Sequence, residues 1–116
     1  LIEDEPNIIE AITFLLKHDG WDVISHSDGG SAIEMIGKTN PDLVILDVML
    51  PNRSGIEILE DLRATEKTKA LPVLMLTAKG QAKDRAAADV AGADIYMTKP
   101  FSNQEMLKAV RQLVGG

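Results

Sequence analysis

Apolar runs of strand length alternate with segments of helical periodicity, and this alternation limits the possible folds more than any other feature. Leu43–Leu46 and residues 72–76 are continuous apolar runs, as expected of parallel strands that are buried on both faces. Between such runs the apolar residues recur at helical spacing. The first helical segment has them at Ile8, Ile9, Ile12, Leu15 and Leu16. Five such strand–helix units predict an α/β domain with a central parallel sheet, and right-handed crossovers place helices on both faces.

Turn and capping residues predict where the elements begin and end. Pro6 suits the first turn of the first helix, and Gly20 closes it. Ser102 and Glu105 have capping-box spacing at the start of the last helix. Only Leu1 and Ile2 are left for a first strand; because strands normally have about five or six residues, we expect that strand to begin upstream. The other predicted elements are a second strand at Val23–Ile24, a helix over Ser31–Ile36 ended by Gly37 and the Asn40–Pro41 breaker, a helix from about Ser54, a helix over about 81–91 and a strand at 95–97.

Length and composition exclude several classes of protein. The 116 residues suffice for one domain with one core. A net charge of −6 argues against a nucleic-acid surface on this domain. There is no cysteine, and His18 and His26 are too few and too separate for a zinc site. The apolar runs are too short for a membrane span and there is no signal peptide, which favours a cytoplasmic location.

Polar residues follow the apolar strands at their carboxyl ends. Glu3 and Asp4 follow the first strand, Asp47 the third, Thr77 the fourth and Lys99 the fifth. In open α/β sheets this edge is where ligands bind. Singly, each residue has an ordinary explanation as a turn former, helix cap or solvated charge. Together they predict one crevice.

The chemistry of this crevice favours a magnesium ion and a phosphoryl group. Three nearby carboxylates cannot all ionise without a raised pKa or a bound cation. Oxygen ligands select a hard ion, and two or three carboxylates suit Mg²⁺. The ammonium of Lys99 and the hydroxyl of Thr77 complete the groups that hold phosphoryl oxygens. The chain has no glycine-rich nucleotide loop, so we expect the phosphoryl group to arrive on a donor other than bound ATP.

Four motifs in order give a family resemblance over the whole chain, residues 1–116. They are LIEDEP at the start, ILDVMLPNRSG around Asp47, MLTA around Thr77 and YMTKPF around Lys99. The chain resembles the receiver domain of two-component response regulators, of the CheY-like superfamily. The resemblance implies a doubly wound (βα)5 fold in three layers, flavodoxin-like, with strand order 2-1-3-4-5.

The resemblance also implies roles for the acidic residues. Asp47 would be the nucleophile that accepts a phosphoryl group from the phosphohistidine of a histidine kinase or a histidine phosphotransfer protein, forming an aspartyl phosphate. Asp4 would bind Mg²⁺ directly, Glu3 through water and Met49 through its backbone carbonyl. The domain would catalyse its own phosphotransfer and dephosphorylation, and so would not be an enzyme with a separate substrate.

Further roles concern the phosphate and the response to it. Thr77 and Lys99 would hold phosphate oxygens, and Lys99–Pro100 would be a cis peptide. On phosphorylation Thr77 would move toward the phosphate and Tyr96 would turn inward. The face of the fourth helix, fifth strand and fifth helix would then change shape and regulate an output domain or a downstream protein. A second copy of the chain could also bind through that face and form a homodimer. We expect the domain to bind neither nucleic acid nor a membrane.

Three departures from the family pattern affect these roles. Glu3 stands where the family often has Asp, and it keeps the carboxylate. Ile95 replaces an acid common in members with winged-helix output domains, which removes an ion-pair partner for a dimer. Met49 and Lys79 occupy the two positions that tune dephosphorylation; neither orients water, so we expect slow self-hydrolysis.

The sequence disfavours three other functions. A phosphatase of the haloacid dehalogenase type needs a second Asp two residues after the nucleophile, where this chain has Met49. A flavin-binding module needs a phosphate-binding loop after the first strand, where this chain has acids. A pseudo-receiver, which binds partners without phosphorylation, is disfavoured by the presence of Asp47, Thr77 and Lys99.

Overall fold

Helices and strands alternate along the chain, as the sequence predicts. The computed structural model describes residues 1–78 and 82–115, with the backbone alone at 82–84. Within these residues the strands are β1 (Val44–Asp47), β2 (Val73–Ala78) and β3 (Ile95–Lys99). The α-helices are α1 (Pro6–His18), α2 (Ala32–Thr39), α3 (Gly55–Ala64), α4 (Ala82–Ala91) and α5 (Asn103–Leu113), and a 3-10 turn at Gly29–Ser31 precedes α2. None of the described helices is long and apolar enough to cross a membrane.

The sheet is parallel and is ordered β1-β2-β3. Ile2 extends it beyond β1, through one bridge to Leu46 and one to His26. The segments therefore lie in the order His26, Ile2, β1, β2, β3. This order matches the expected 2-1-3-4-5 arrangement, although the first two segments pair through single residues.

Two element boundaries predicted from the sequence are wrong. The second strand was placed at Val23–Ile24, but the pairing lies at His26, whose N–H donates to Leu1 O (2.8 Å) and whose carbonyl accepts from Glu3 N (3.0 Å). Ile2 therefore bridges to His26 rather than to Val23 or Ile24.

Gly37 does not end the second helix. α2 continues to Thr39 and ends at Asn40, which has a left-handed φ of 51°. A glycine inside a helix costs only about 1 kcal/mol relative to alanine, and the burial of Ala32 and Ile36, which precede Gly37 in α2, offsets that cost.

Two apolar clusters cover the two faces of the sheet. Alternate residues of β1 separate between them, with Val44 and Leu46 in one cluster and Ile45 in the other. The first cluster packs beneath α2, α3 and α4, and the second packs beneath α1 and α5. The layers are therefore helix, sheet and helix, which confirms the predicted three-layer fold.

Arg63 joins four segments at the amino-terminal edge of the sheet. Its guanidinium donates to Gly92 O (2.9 Å), Leu71 O (2.7 Å) and Asp94 Oδ2 (2.9 Å). Asp94 Oδ2 also accepts from Val73 N (2.8 Å). The end of α3 is thereby tied to the starts of β2 and β3 and to the end of α4.

We expect Arg63→Ala to lower the free energy of unfolding by about 2–3 kcal/mol, because it removes the side-chain donor to three carbonyls and to the Asp94 carboxylate. Urea denaturation followed by far-UV circular dichroism measures the change. The matched control is Lys69→Ala, which removes an exposed ion pair with Glu66 and should cost less than about 0.5 kcal/mol. Equal effects of the two substitutions would contradict this role of Arg63.

Candidate functional site

Three carboxylates meet at the carboxyl edge of the sheet. Asp47 is the last residue of β1 and is only 3% exposed, while Glu3, next to the bridge residue Ile2, is completely buried. Asp4 is exposed, and one oxygen from each of the three side chains lies within 4.8 Å of the others. The residues predicted to bind a metal through their carboxylates are thus adjacent.

The ammonium of Lys99 offsets part of this negative charge. Its Nζ lies 2.7 Å from Glu3 Oε1, 3.0 Å from Glu5 Oε1 and 3.4 Å from Asp47 Oδ1. Lys99 is the last residue of β3, so this strand places the ammonium beside Asp47, at the end of β1, and beside Glu3, which follows the bridge residue Ile2. Glu5 was not expected to take part; the run of three consecutive acids at residues 3–5 was the available indication in the sequence.

Burial and the neighbouring charges shift the pKa values in this cluster. Burial, a hydrogen bond with Glu3 and the charge of Glu3 raise the pKa of Asp47 to about 7, although Lys99 acts in the opposite direction. Burial alone would lower the pKa of Lys99, but Glu3, Glu5 and Asp47 outweigh it and raise that pKa. The site therefore has a permanent cation and a carboxylate that is costly to ionise, and a second cation would favour the ionised form of Asp47.

The donor set fits a hard divalent cation. Glu3 Oε1 is buried and, apart from its ionic contact with Lys99, accepts no hydrogen bond from the described residues. Its other oxygen, Oε2, accepts from Asp4 N (3.1 Å). Carboxylate oxygens with an open, exposed side at Asp4 are typical of Mg²⁺ sites, which keep several waters.

Thr77 lies near Asp47 on the neighbouring strand β2. In the sheet register Asp47 pairs with Leu76, and Thr77 pairs with Thr98, the residue before Lys99. Thr77 is 1% exposed. Asp47 and Lys99 are the last residues of β1 and β3, and Thr77 is the next-to-last residue of β2, so the three lie at one edge of the sheet. The Lys99–Pro100 peptide that follows is cis.

The loop after Asp47 is held closely against its strand. Val48 N donates to Leu76 O (2.9 Å), and Gly55 N donates back to Val48 O (2.8 Å). A Cβ at Gly55 would lie 2.1 Å from the carbonyl oxygen of Asp47. Between these points the side chain of Met49, one of the two predicted tuning residues, is 71% exposed. The other tuning residue, Lys79, lies outside the described residues.

The predicted switch residue Tyr96 is half-buried in β3, and the guanidinium of Arg85 lies over its ring, 5.7 Å from the ring centre. Ile95 packs against the apolar cluster beneath α5, so the position where the family resemblance led to an expected acid supplies packing here. Glu105 takes part in the capping box of α5 with Ser102.

Comparison with known families and proteins gives a consistent result. The family model described as "Response regulator receiver domain" matches residues 1–111. Among curated proteins, the chain is 43% identical over 114 residues to the "Probable transcriptional regulatory protein TcrX" of Mycobacterium tuberculosis. It is 38% identical over 114 residues to the phosphate regulon transcriptional regulatory protein PhoB of Escherichia coli. These matches cover 98% of this chain but 48% and 50% of the relatives, so the chain spans about half their length.

Solved structures show the same likeness. The BeF3-activated N-terminal receiver domain of RstA from Klebsiella pneumoniae has a TM-score of 0.90 at 29% identity, covering 99% of this chain and 96% of that one. The receiver domain of the sensor histidine kinase PA1611 from Pseudomonas aeruginosa also has a TM-score of 0.90, at 28% identity, covering 99% and 94%. The latter holds a magnesium ion coordinated in its active site cleft.

Proposed function

The chain belongs to the family of response regulator receiver domains of two-component signalling, and from this premise we propose that Asp47 accepts the phosphoryl group. The observation that carries the proposal is the placement of Asp47, a buried carboxylate, 3.4 Å from the ammonium of Lys99 and beside Glu3 and Asp4. No comparable grouping of three acids occurs elsewhere among residues 1–78 and 85–115, whose side chains the structure describes.

In the proposed reaction an Asp47 carboxylate oxygen attacks the phosphorus of a phosphohistidine. The new P–O bond forms as the P–N bond breaks, and the bonding electron pair leaves with the imidazole nitrogen of the donor. Lys99 and the hydroxyl of Thr77 stabilise the negative charge on the equatorial phosphoryl oxygens. The donor is a sensor histidine kinase or a histidine phosphotransfer protein.

Glu3, Asp4, Asp47 and the backbone carbonyl of Met49 would hold the magnesium ion. When bound, Mg²⁺ supplies positive charge for the phosphoryl oxygens. Glu3 and Asp4 would fix the position of the ion, and Lys99 would orient the Asp47 carboxylate.

Phosphorylation would then alter the face formed by α4, β3 and α5. It adds about 1.5 to 2 negative charges next to Lys99 and Thr77, at the ends of β3 and β2. α4 is held weakly, since Ala88 is its only fully buried residue among those whose side chains are described. Thr77 moving toward the phosphate and Tyr96 turning inward would shift an existing equilibrium of this face.

The output regulated by this face is a domain or protein outside the chain. TcrX and PhoB are named as transcriptional regulators, which supports an output domain that acts on transcription. A homodimer through the same face would form without an acid at position 95. We place the domain in the cytoplasm, where a phosphohistidine donor is made from ATP.

The proposal is tested by intact-mass spectrometry after incubation with phosphoramidate or acetyl phosphate, with and without Mg²⁺. We expect the addition of one phosphoryl group only when Mg²⁺ is present, and its removal by hydroxylamine, which cleaves acyl phosphates. Borohydride reduction followed by peptide mapping should locate the modification at Asp47. A folded protein that takes up no phosphoryl group under these conditions would overturn the proposal and favour the pseudo-receiver.

A further inference from the structure

A polar network outside the acidic cluster connects two segments that carry its proposed metal ligands. Asp28 is its centre. Asp28 Oδ1 accepts from Asn52 Nδ2 (2.6 Å) and from Gly30 N (3.1 Å), and Oδ2 accepts from the Ser31 hydroxyl (3.2 Å). The hydrogen bond from Asn52 is the main cause that lowers the pKa of Asp28, so this carboxylate is ionised at neutral pH.

One arm of the network leads to Glu3 and Asp4. His26 Nε2 lies 2.7 Å from the Ser31 hydroxyl oxygen, and the two groups share a hydrogen bond. The backbone of His26 is paired with the segment that holds the acids, since its carbonyl accepts from Glu3 N (3.0 Å). The position of Asp28 is thus connected to the position of Glu3.

The other arm leads to the loop between Asp47 and α3. Asn52, whose side chain donates to Asp28, has a left-handed φ of 69°, a conformation that costs energy and persists where surrounding contacts hold it. Next to it, Pro51 O accepts from Gly29 N (3.0 Å). The fit is close, because a Cβ at Gly29 would lie 2.3 Å from the carbonyl oxygen of Arg53.

The segment from His26 to Ser31 therefore holds both halves of the proposed metal site. Glu3 and Asp4 lie on one side of it, and the loop that contains Met49 lies on the other. Val48 and Gly55 tie the ends of that loop, while Asp28 and Gly29 contact its middle.

We propose that Asp28 is a positioning residue for phosphorylation, which holds Asn52 so that the loop presents the Met49 carbonyl at the correct distance from Glu3 and Asp4. The inference rests on the proposed function, because it concerns the same metal site. Asp28 touches neither the metal nor the phosphoryl group and acts through Asn52. Groups that orient metal ligands in this way typically alter metal affinity by about 10- to 100-fold when they are removed.

The test measures Mg²⁺ binding directly, by titrating the ¹⁵N-labelled full chain and following amide chemical shifts. We expect Asp28→Ala to raise the Mg²⁺ dissociation constant by about tenfold. Asp28→Asn removes the charge but keeps an oxygen that accepts from Asn52, and it should stay within about twofold of wild type. Asn52→Gly keeps the left-handed backbone but lacks the side-chain donor, so it should weaken binding as Asp28→Ala does.

The rate of phosphorylation by phosphoramidate at varied Mg²⁺ gives a second measurement. In Asp28→Ala the Mg²⁺ concentration for half-maximal rate should rise in parallel with the dissociation constant, and the rate at saturating Mg²⁺ should match wild type. A merely destabilised protein would not show this split. Because Asp28 acts through Asn52, the Asp28→Ala/Asn52→Gly double variant should bind Mg²⁺ about as well as either single variant.

The matched control is Asp22→Ala, which removes an exposed acid elsewhere on the surface and should leave Mg²⁺ binding unchanged. Unchanged Mg²⁺ affinity in both Asp28→Ala and Asn52→Gly would overturn the positioning role. So would equal losses in Asp28→Asn and Asp28→Ala, since charge rather than geometry would then matter. If wild type takes up no phosphoryl group, the proposed function fails, and the Mg²⁺ titration still decides the role of Asp28.

Discussion

Asp47→Asn should abolish phosphoryl addition from phosphoramidate, with no modified species in the intact-mass spectrum after an incubation that fully modifies wild type. The amide has nearly the same shape as the carboxylate but lacks the anionic oxygen that attacks phosphorus. Because Asp47 is the only buried carboxylate at the end of a described strand, we expect no neighbouring acid to replace it. The expected loss is at least about 10³-fold, comparable to removal of a nucleophile elsewhere.

Thermal unfolding separates this loss from misfolding. Burial and Glu3 raise the pKa of Asp47 to about 7, above its value in the unfolded chain, so wild type loses stability as the pH rises from about 4 to about 7. In a metal-free buffer at pH 8 we therefore expect Asp47→Asn to melt at a higher temperature than wild type, with the difference vanishing near pH 4. Asp22→Asn is the matched control and should be phosphorylated normally. Phosphoryl addition to Asp47→Asn would show that another residue is the acceptor.

Gly55→Ala should lower the free energy of unfolding by about 3 kcal/mol or more. Its Cβ would lie 2.1 Å from Asp47 O, 2.9 Å from Asp47 C and 3.0 Å from Val48 Cα, all of them backbone atoms. No side chain can rotate away to make room, so α3 must move from β1, and overpacking of this kind is among the more costly single substitutions. Chemical denaturation measures the loss of stability. Slower phosphorylation should accompany it, because β1, which carries Asp47, is displaced.

Gly37→Ala is the matched control for Gly55→Ala. Gly37 lies inside α2, and a Cβ there would meet nothing within 4 Å. Alanine is favoured over glycine in helices, so this variant should be more stable than wild type by about 0.5–1 kcal/mol. If both substitutions had the same effect, the close approach of Gly55 to the backbone of Asp47 and Val48 would not matter to stability.

The fold was largely predictable because burial on both faces of a parallel sheet produces continuous apolar runs. Leu43–Leu46 indicated β1, and the helical spacing from Ile8 to Leu16 indicated α1. The capping box at Ser102 and Glu105 is present at the start of α5. Gly37 misled because glycine is a weak local cue, with a cost that the buried residues of one helix face can override.

The grouping of the acids was predictable for a different reason. Parallel strands end at one edge, so Asp47 and Lys99 were expected to meet although 52 positions separate them in the sequence. The pairing of Lys99 with the carboxylates of the cluster was likewise expected, but two other contacts were not predictable. Lys99 reaches Glu5 across 94 positions and Asp28 reaches Asn52 across 24, and such contacts depend on side-chain directions that follow from the packed structure.

The sequence by itself determined the α/β class, the three-layer arrangement and the edge of the sheet where Asp47, Thr77 and Lys99 lie. These features follow from hydrophobic periodicity and strand ends, which are local properties of the chain. Only the tertiary structure decided that Ile2 pairs through single bridges, that Glu3 is completely buried beside Lys99, and that the His26–Ser31 segment joins both halves of the site. Distances and burial arise when distant segments pack together, because each position is then set by all its neighbours at once.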